Sequence, residues 1–236
     1  MTPAIPLEQR DEVGSTSDDL VARAIAGAHE CALMARRQTG GRGRLGRRWE
    51  TIDGNLHLSV LLRPPAPVAP GPWSLLAAVA LADTLRTLLP APGMLRLKWP
   101  NDVLLNGAKV AGILLEAGSD PEPWLVIGFG VNLAGAPVGL SRPTASIADL
   151  VPAPRPNTFA ANLLTAVSHW RGRLVQEGFS PVRQAWLALG PAIGDALSAG
   201  TGPQRQTGTF RGLGPDGALL LNGPAGLTAI RSGEVA

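Results

Sequence analysis

The sequence predicts an α+β fold: a mixed β-sheet backed by helices, followed by a small all-β module. Three observations carry this expectation. Apolar residues alternate with period 2 in several short stretches, while other stretches repeat with helical spacing. Asn106-Gly107, between DVLL and AKVAGILLE, is a strong hairpin signal, so antiparallel strands lie between the helices and a doubly wound parallel sheet is excluded. After about Pro191 the texture changes to short β segments and glycine turns.

In chain order, a short extended start leads to Ser15-Thr16-Ser17, whose hydroxyls precede an acidic first turn and cap a helix built on Leu20, Val21, Ala24, Ile25 and Ala28. ECALMAR is a strand, and an arginine-rich loop follows. NLHLSVLLR reads as a half-buried strand with Leu56, Leu58, Val60 and Leu62 inward. PPAPVAPGP is a loop, WSLLAAVALADTLRTLL a helix closed by Pro90, and MLRLKW a strand stopped at Pro100. Two strands flank the Asn106-Gly107 turn. PWLVIGFGVNL is a further strand whose glycines imply a close approach to its backbone. NTFAANLLTAVSHWRGRLVQEG and PVRQAWLALG are helices, and DALSA, RQTGTFRGLG, PDGALLLNG and LTAIRSGEV form the final module. The chain divides at residues 1–190 and 191–236.

At 236 residues the chain fits one large domain, or one of about 190 residues with an appendage. Cys31 has no partner, so no disulfide forms, and three scattered histidines with one cysteine exclude a zinc ligand set; no metal-ligating residues are assigned. No apolar run reaches the roughly 18–20 residues of a membrane span. The N-terminus lacks the basic-then-apolar order of a signal peptide. The expected location is the cytoplasm. The net charge is +3, yet residues 36–48 hold six arginines and no acid; without them 15 basic face 18 acidic residues. The basicity is one local feature, which favours a discrete anion site over a nucleic-acid-coating surface. Lysines number two, Lys98 and Lys109, against 19 arginines, which suggests that each serves as a compact point charge.

GRGRLG at 41–46 matches a dinucleotide-binding fingerprint only in letters, because that motif needs a helix after it and an apolar tight turn. The loop offers exposed amides at Gly40, Gly41, Gly43 and Gly46 and guanidiniums at Arg42, Arg44, Arg47 and Arg48, which suit phosphate and carboxylate together. Composition alone leaves a floppy basic loop or an RGG-like RNA contact as the other readings. In LKWPND, Asp102 could coordinate a cation and Asn101 an amide edge, or the segment is a turn capping a strand. Lys109 is either a solvated hairpin lysine or a site cation. Gly128, Gly130 and Asn132 line a pocket floor or mark a bulge, and Ser15-Thr16 alone is a helix cap.

Together these segments resemble biotin protein ligases. The resemblance rests on STS at 15–17, Q-x-x-G-R-G-R-x-G-R-x-W at 38–49, GNLHLSVLLRP at 54–64, KWPND at 98–102, K-x-AGIL at 109–114 and IGFGVN at 127–132. The tail resembles that family's small SH3-like C-terminal domain, and the catalytic unit its class II aminoacyl-tRNA synthetase-like fold. The resemblance implies that biotin and ATP, with Mg²⁺, give biotinyl-5′-AMP, and that biotin then passes to a lysine of a biotin carboxyl carrier domain. It implies Lys109 and Arg44 as catalytic residues. Ser15, Thr16, Ser17, Gln38, Gly41, Arg42, Gly43, Arg44, Lys109 and Gly112 would hold biotin. Arg42, Arg44, Arg47, Trp49, Asn101, Lys109 and Asn132 would face the nucleotide. Only 14 residues precede Ser15, which fits the monofunctional type without a DNA-binding domain, and the resemblance is compatible with a homodimer. TASIAD at 144–149 follows the family stretch loosely, so no contacts are carried over there. A lipoate- or octanoate-transferring ligase of the same fold is the alternative, against which the arginine loop argues. An RNA-binding module is a third reading, but Trp49 is the one aromatic adjoining the arginines.

Overall fold

A computed structural model describes residues 5–235 except 68, 92, 141, 201, 203 and 204. Seven strands form the main sheet in the order β1-β2-β3-β7-β6-β5-β4. They are β1 (Leu7–Val13), β2 (Cys31–Gln38), β3 (Leu56–Leu62), β4 (Leu95–Lys98), β5 (Asp102–Leu105), β6 (Ala108–Gly118) and β7 (Trp124–Val131). β1 runs parallel to β2 and the other pairs are antiparallel, so the sheet is mixed as expected. The helices are α1 (Thr16–Ile25), α2 (Pro70–Arg86), α3 (Pro156–Glu177) and α4 (Ser180–Leu187). α1 packs on β2, β3 and β7, while α2 packs on β4, β5 and β6 and against α3 and α4.

Two local expectations change. β3 is not half-buried: all seven of its residues are buried. Leu58 and Val60 join the larger core, while Leu61 on the other face packs with Leu20, Ala24 and Leu33 beneath α1. A strand covered on both sides shows no polar alternation that would reveal the second cover. The helix expected from Trp73 begins at Pro70, inside the proline-rich stretch, since proline's fixed φ and missing N–H suit the first helical turn. The hairpin is as expected, with Asn106 and Gly107 both at positive φ, 50° and 84°.

A second, antiparallel sheet of SH3-like type follows, ordered β11-β10-β9-β8-β12. Its strands are β8 (Ala196–Gly200), β9 (Gln206–Leu213), β10 (Leu219–Gly223), β11 (Gly226–Ile230) and β12 (Glu234–Val235). It is docked on the part built around the main sheet through the turn before β10: Trp99 Nε1 donates to the Gly217 carbonyl at 3.1 Å, and Gly217 lies against Gly71 at the start of α2. Among the described residues, no helix is long and apolar enough to cross a membrane.

Candidate active site

One cleft opens where α1 leaves the sheet uncovered, and it spans about 870 Å³ including its mouth. That is room for two small ligands side by side. Its inner end is polar. Ser15 caps α1, its Oγ accepting from Asp18 N at 3.3 Å. The cap places Thr16 and Ser17 on buried β3, where both hydroxyls meet Ser59 Oγ, at 2.8 and 3.0 Å. Gln38, ending β2, accepts from Thr16 N at 2.8 Å. A backbone N–H can only donate, so the amide oxygen of Gln38 faces Thr16 and its nitrogen is left for a ligand acceptor. Gly128 makes this recess possible, since a methyl there would lie 2.5 Å from Ser17 Oγ. Buried hydroxyls that can each donate and accept suit a small polar ring system.

Lys109 stands at the centre. The β5–β6 register shifts between Val103 and Leu104, which leaves Val110 as an extra residue. A bulge resets the alternation of a strand. Lys109 and Gly112 therefore both line the cleft, three positions apart. The solvated-hairpin reading of Lys109 fails: the residue is 8% exposed, and its Nζ lies 2.5 Å from Asp102 Oδ1. Burial pushes the ammonium down from the ordinary lysine range, and the Asp102 carboxylate opposes that shift. The other Asp102 oxygen faces Arg142 at 3.4 Å. Trp49 roofs the same floor: its ring centroid is 5.8 Å from Lys109 Nζ, and a methyl on Gly130 would overlap its indole.

The arginine loop closes the outer side as a short hairpin. Gly43 N donates to Arg47 O at 2.7 Å and Trp49 N to Gly41 O at 2.9 Å, with a 3₁₀ turn at Arg44–Gly46 between them. Arg42 pairs with Asp18 and lies 2.8 Å from Glu116. Arg44 Nη1 donates to Asn101 Oδ1 at 3.4 Å. The fold thus turns cations from three segments, Arg44 and Arg47, Lys109, and Arg142, toward one place, an arrangement that would offset the repulsion between two anions bound there.

Of the residues expected from sequence, all but two line the cleft. Gly41 lies behind the rim, its backbone holding Trp49 and its α-carbon against Gln38. Asn132 is buried behind the floor: its Nδ2 donates to Ala145 O at 3.1 Å and its backbone accepts from Ile147 N, so it braces the segment after Pro143. Asn101 lines the cleft but is tied to β6, its Nδ2 donating to Ile113 O at 2.5 Å, which aims its oxygen at Arg44. Sequence reasoning missed Ser59, Arg142 and Glu234. Ser59 had a signal, a small hydroxyl residue inside a strand whose residues other than it and His57 are all apolar. Arg142 and Glu234 had none, because loop placement alone brings them in.

A polar recess lies beside a buried lysine and a ring of guanidiniums, an arrangement suited to a ligase that brings a carboxylate and a phosphate ester together. Residues 29–132 match the biotin/lipoate A/B protein ligase family. The chain is 42% identical over 212 residues to the biotin–[acetyl-CoA-carboxylase] ligase of Paracoccus denitrificans, covering 86% of this chain and 88% of that protein. It is 36% identical over 235 residues to the enzyme of the same name from Mycobacterium tuberculosis, covering 95% and 86%. The structure superposes on the biotin protein ligase of Aquifex aeolicus solved with biotin and ATP, with a TM-score of 0.84 and 27% identity, covering 98% and 97%. The chain belongs to the biotin/lipoate A/B protein ligase family, among its biotin protein ligases.

Proposed function

We infer that this chain is an ATP-dependent biotin ligase that forms biotinyl-5′-AMP and passes biotin to a lysine of a biotin carboxyl carrier domain. The observation that carries the reading is Lys109, buried beside Asp102 between the hydroxyl recess and the arginine loop. Thr16, Ser17, Ser59 and Gln38 would bind the fused-ring head group, and the chain of the acid would run along the glycine floor toward Lys109. A carboxylate oxygen then attacks the α-phosphorus of ATP, the new P–O bond forms and pyrophosphate leaves. Lys109 would neutralise the two oxygens that approach each other, since charge accumulates between them in the transition state. Arg44 and Arg47 would face the phosphates. In the second step the carrier amine attacks the acyl carbon, and AMP and a proton leave.

Mg²⁺ finds no prebuilt cage here. Among the described residues no group of three His, Cys, Asp or Glu could hold a metal ion, and both Asp102 oxygens already face cations. Mg²⁺ keeps most of its water and phosphate ligands in such sites, so it would arrive on ATP. We divide the chain into a catalytic unit, 1–190, and an SH3-like unit, 191–236, on the gap between α4 and β8. A cytoplasmic location is favoured by the need for ATP and by a lone half-buried cysteine.

Thermal melting tests the substrate class. Biotin with ATP should raise Tm well beyond ATP alone, by mass action on the folded state, and lipoate with ATP should not. Stabilisation by lipoate equal to that by biotin would overturn the reading in favour of the family's lipoate branch.

A further inference from the structure

The arginine loop is tied down at two places by acids from different parts of the chain. Its inner arm is held within the catalytic unit, where Arg42 meets Asp18 of α1 and Glu116 of β6. Its outer arm is held by the SH3-like sheet: Arg47 pairs with Glu234, and Arg44 Nη1 donates to the Gly233 carbonyl at 3.0 Å. Glu234 is firmly presented. It opens β12, paired with Gly200 of β8, and Gly233 before it has φ 120° with its α-carbon packed against Gly200. Glu234 lines the same cleft as Lys109. Arg47 beside it holds its carboxyl below the usual carboxylate range.

Asp102 in this cleft is offset by Lys109 and Arg142, but Glu234 is a second acid beside ligands that, on the function proposed above, are a carboxylate and a polyphosphate. Its charge opposes both, and among the described residues its one side-chain hydrogen-bond partner is a guanidinium of the loop. We propose that Glu234 is a positioning residue that holds the outer arm of the arginine loop against the SH3-like sheet, keeping the acyl-adenylate enclosed between the two steps while weakening ATP binding. The proposal rests on the adenylate-forming reading of the site. It predicts two effects of opposite sign, which general damage to the cleft would not produce.

The test uses the full chain with Glu234→Gln, which keeps the shape and removes the charge, and Glu234→Asp, which keeps the charge and shortens the reach. Biotin-dependent pyrophosphate release gives the KM for ATP, and labelling of serum albumin in the same mixture reports escaped adenylate. A partly exposed ion pair is of a size to change each quantity about two- to fivefold. Glu234→Gln should lower the KM for ATP and raise albumin labelling; Glu234→Asp should raise albumin labelling without lowering the KM. A raised KM in Glu234→Gln, or albumin labelling equal to the parent's in both variants, would overturn the proposal. A parent chain that releases no pyrophosphate with biotin would instead defeat the function itself, so the two failures are distinguishable.

Discussion

Replacing Lys109 by alanine removes the one ammonium between the two proposed anions and leaves Asp102 facing Arg142. Adenylate formation should fall roughly 100- to 1000-fold, as when a single transition-state donor is lost, with the secondary structure seen by circular dichroism unchanged. Biotin-dependent pyrophosphate release within a few fold of the parent's would remove Lys109 from the mechanism. His57 makes a different prediction. It is 1% exposed on β3, and neither ring nitrogen has a hydrogen-bond partner among the described residues. Burial lowers its pKa from 6.5 to about 4. Between those values the unfolded chain takes up a proton that the folded chain refuses, so stability falls as pH drops through that window, by up to roughly 3 kcal/mol. His57→Leu should flatten this loss in urea titrations near pH 7 and pH 5; an equal slope in both proteins would show that His57 does not control it. At this scale the sequence was informative about residue type and poor on direction. Two lysines among 19 arginines drew attention to Lys109, but only the bulge at Val110 turns it into the cleft, and no residue pattern announces that bulge.

The floor and the loop depend on each other at the scale of elements. β7 passes under Trp49 at Gly130, and the indole occupies the space that a side chain would fill. Gly130→Ala should push Trp49 off the floor at a cost of about 1–3 kcal/mol, the range for overpacking, and raise the KM for ATP by about tenfold. Steady-state pyrophosphate release measures this, and an unchanged KM would place the nucleotide elsewhere. GFGVN was therefore readable as a close approach, although not as an approach by this chain's own tryptophan. The loop's glycines were read together as donors of exposed amides, but they differ. Gly46 has φ 71°, which glycine favours, whereas a methyl on Gly43 would make an ordinary 3.7 Å contact with Arg47 O. The burial of both faces of β3 was not legible, because α1 contributes its cover from a remote part of the chain.

At the scale of the whole molecule, the change of texture after Pro191 marks the second sheet, but the apolar core does not stop there. Phe210, Leu213 and Leu219 belong to the same buried cluster as Trp186 and Val182 of α4. A chain ending at residue 190 should fold with a Tm several degrees lower and biotinylate carrier protein poorly, having lost both Glu234 and the sheet that presents it. Calorimetry with a carrier assay checks both, and failure of residues 1–190 to fold would show one shared core and no independent catalytic unit. The docking contacts, Gly71 on Gly217 and Trp99 on the Gly217 carbonyl, were illegible because they pair segments more than 100 residues apart with no charge or period in common. The most direct measurement is labelling of a purified biotin carboxyl carrier domain by the purified chain, read by mass spectrometry. The account predicts one biotin, on one lysine, only when biotin and ATP are both present. Labelling that does not need ATP, or a carrier modified by lipoate as readily as by biotin, would contradict it.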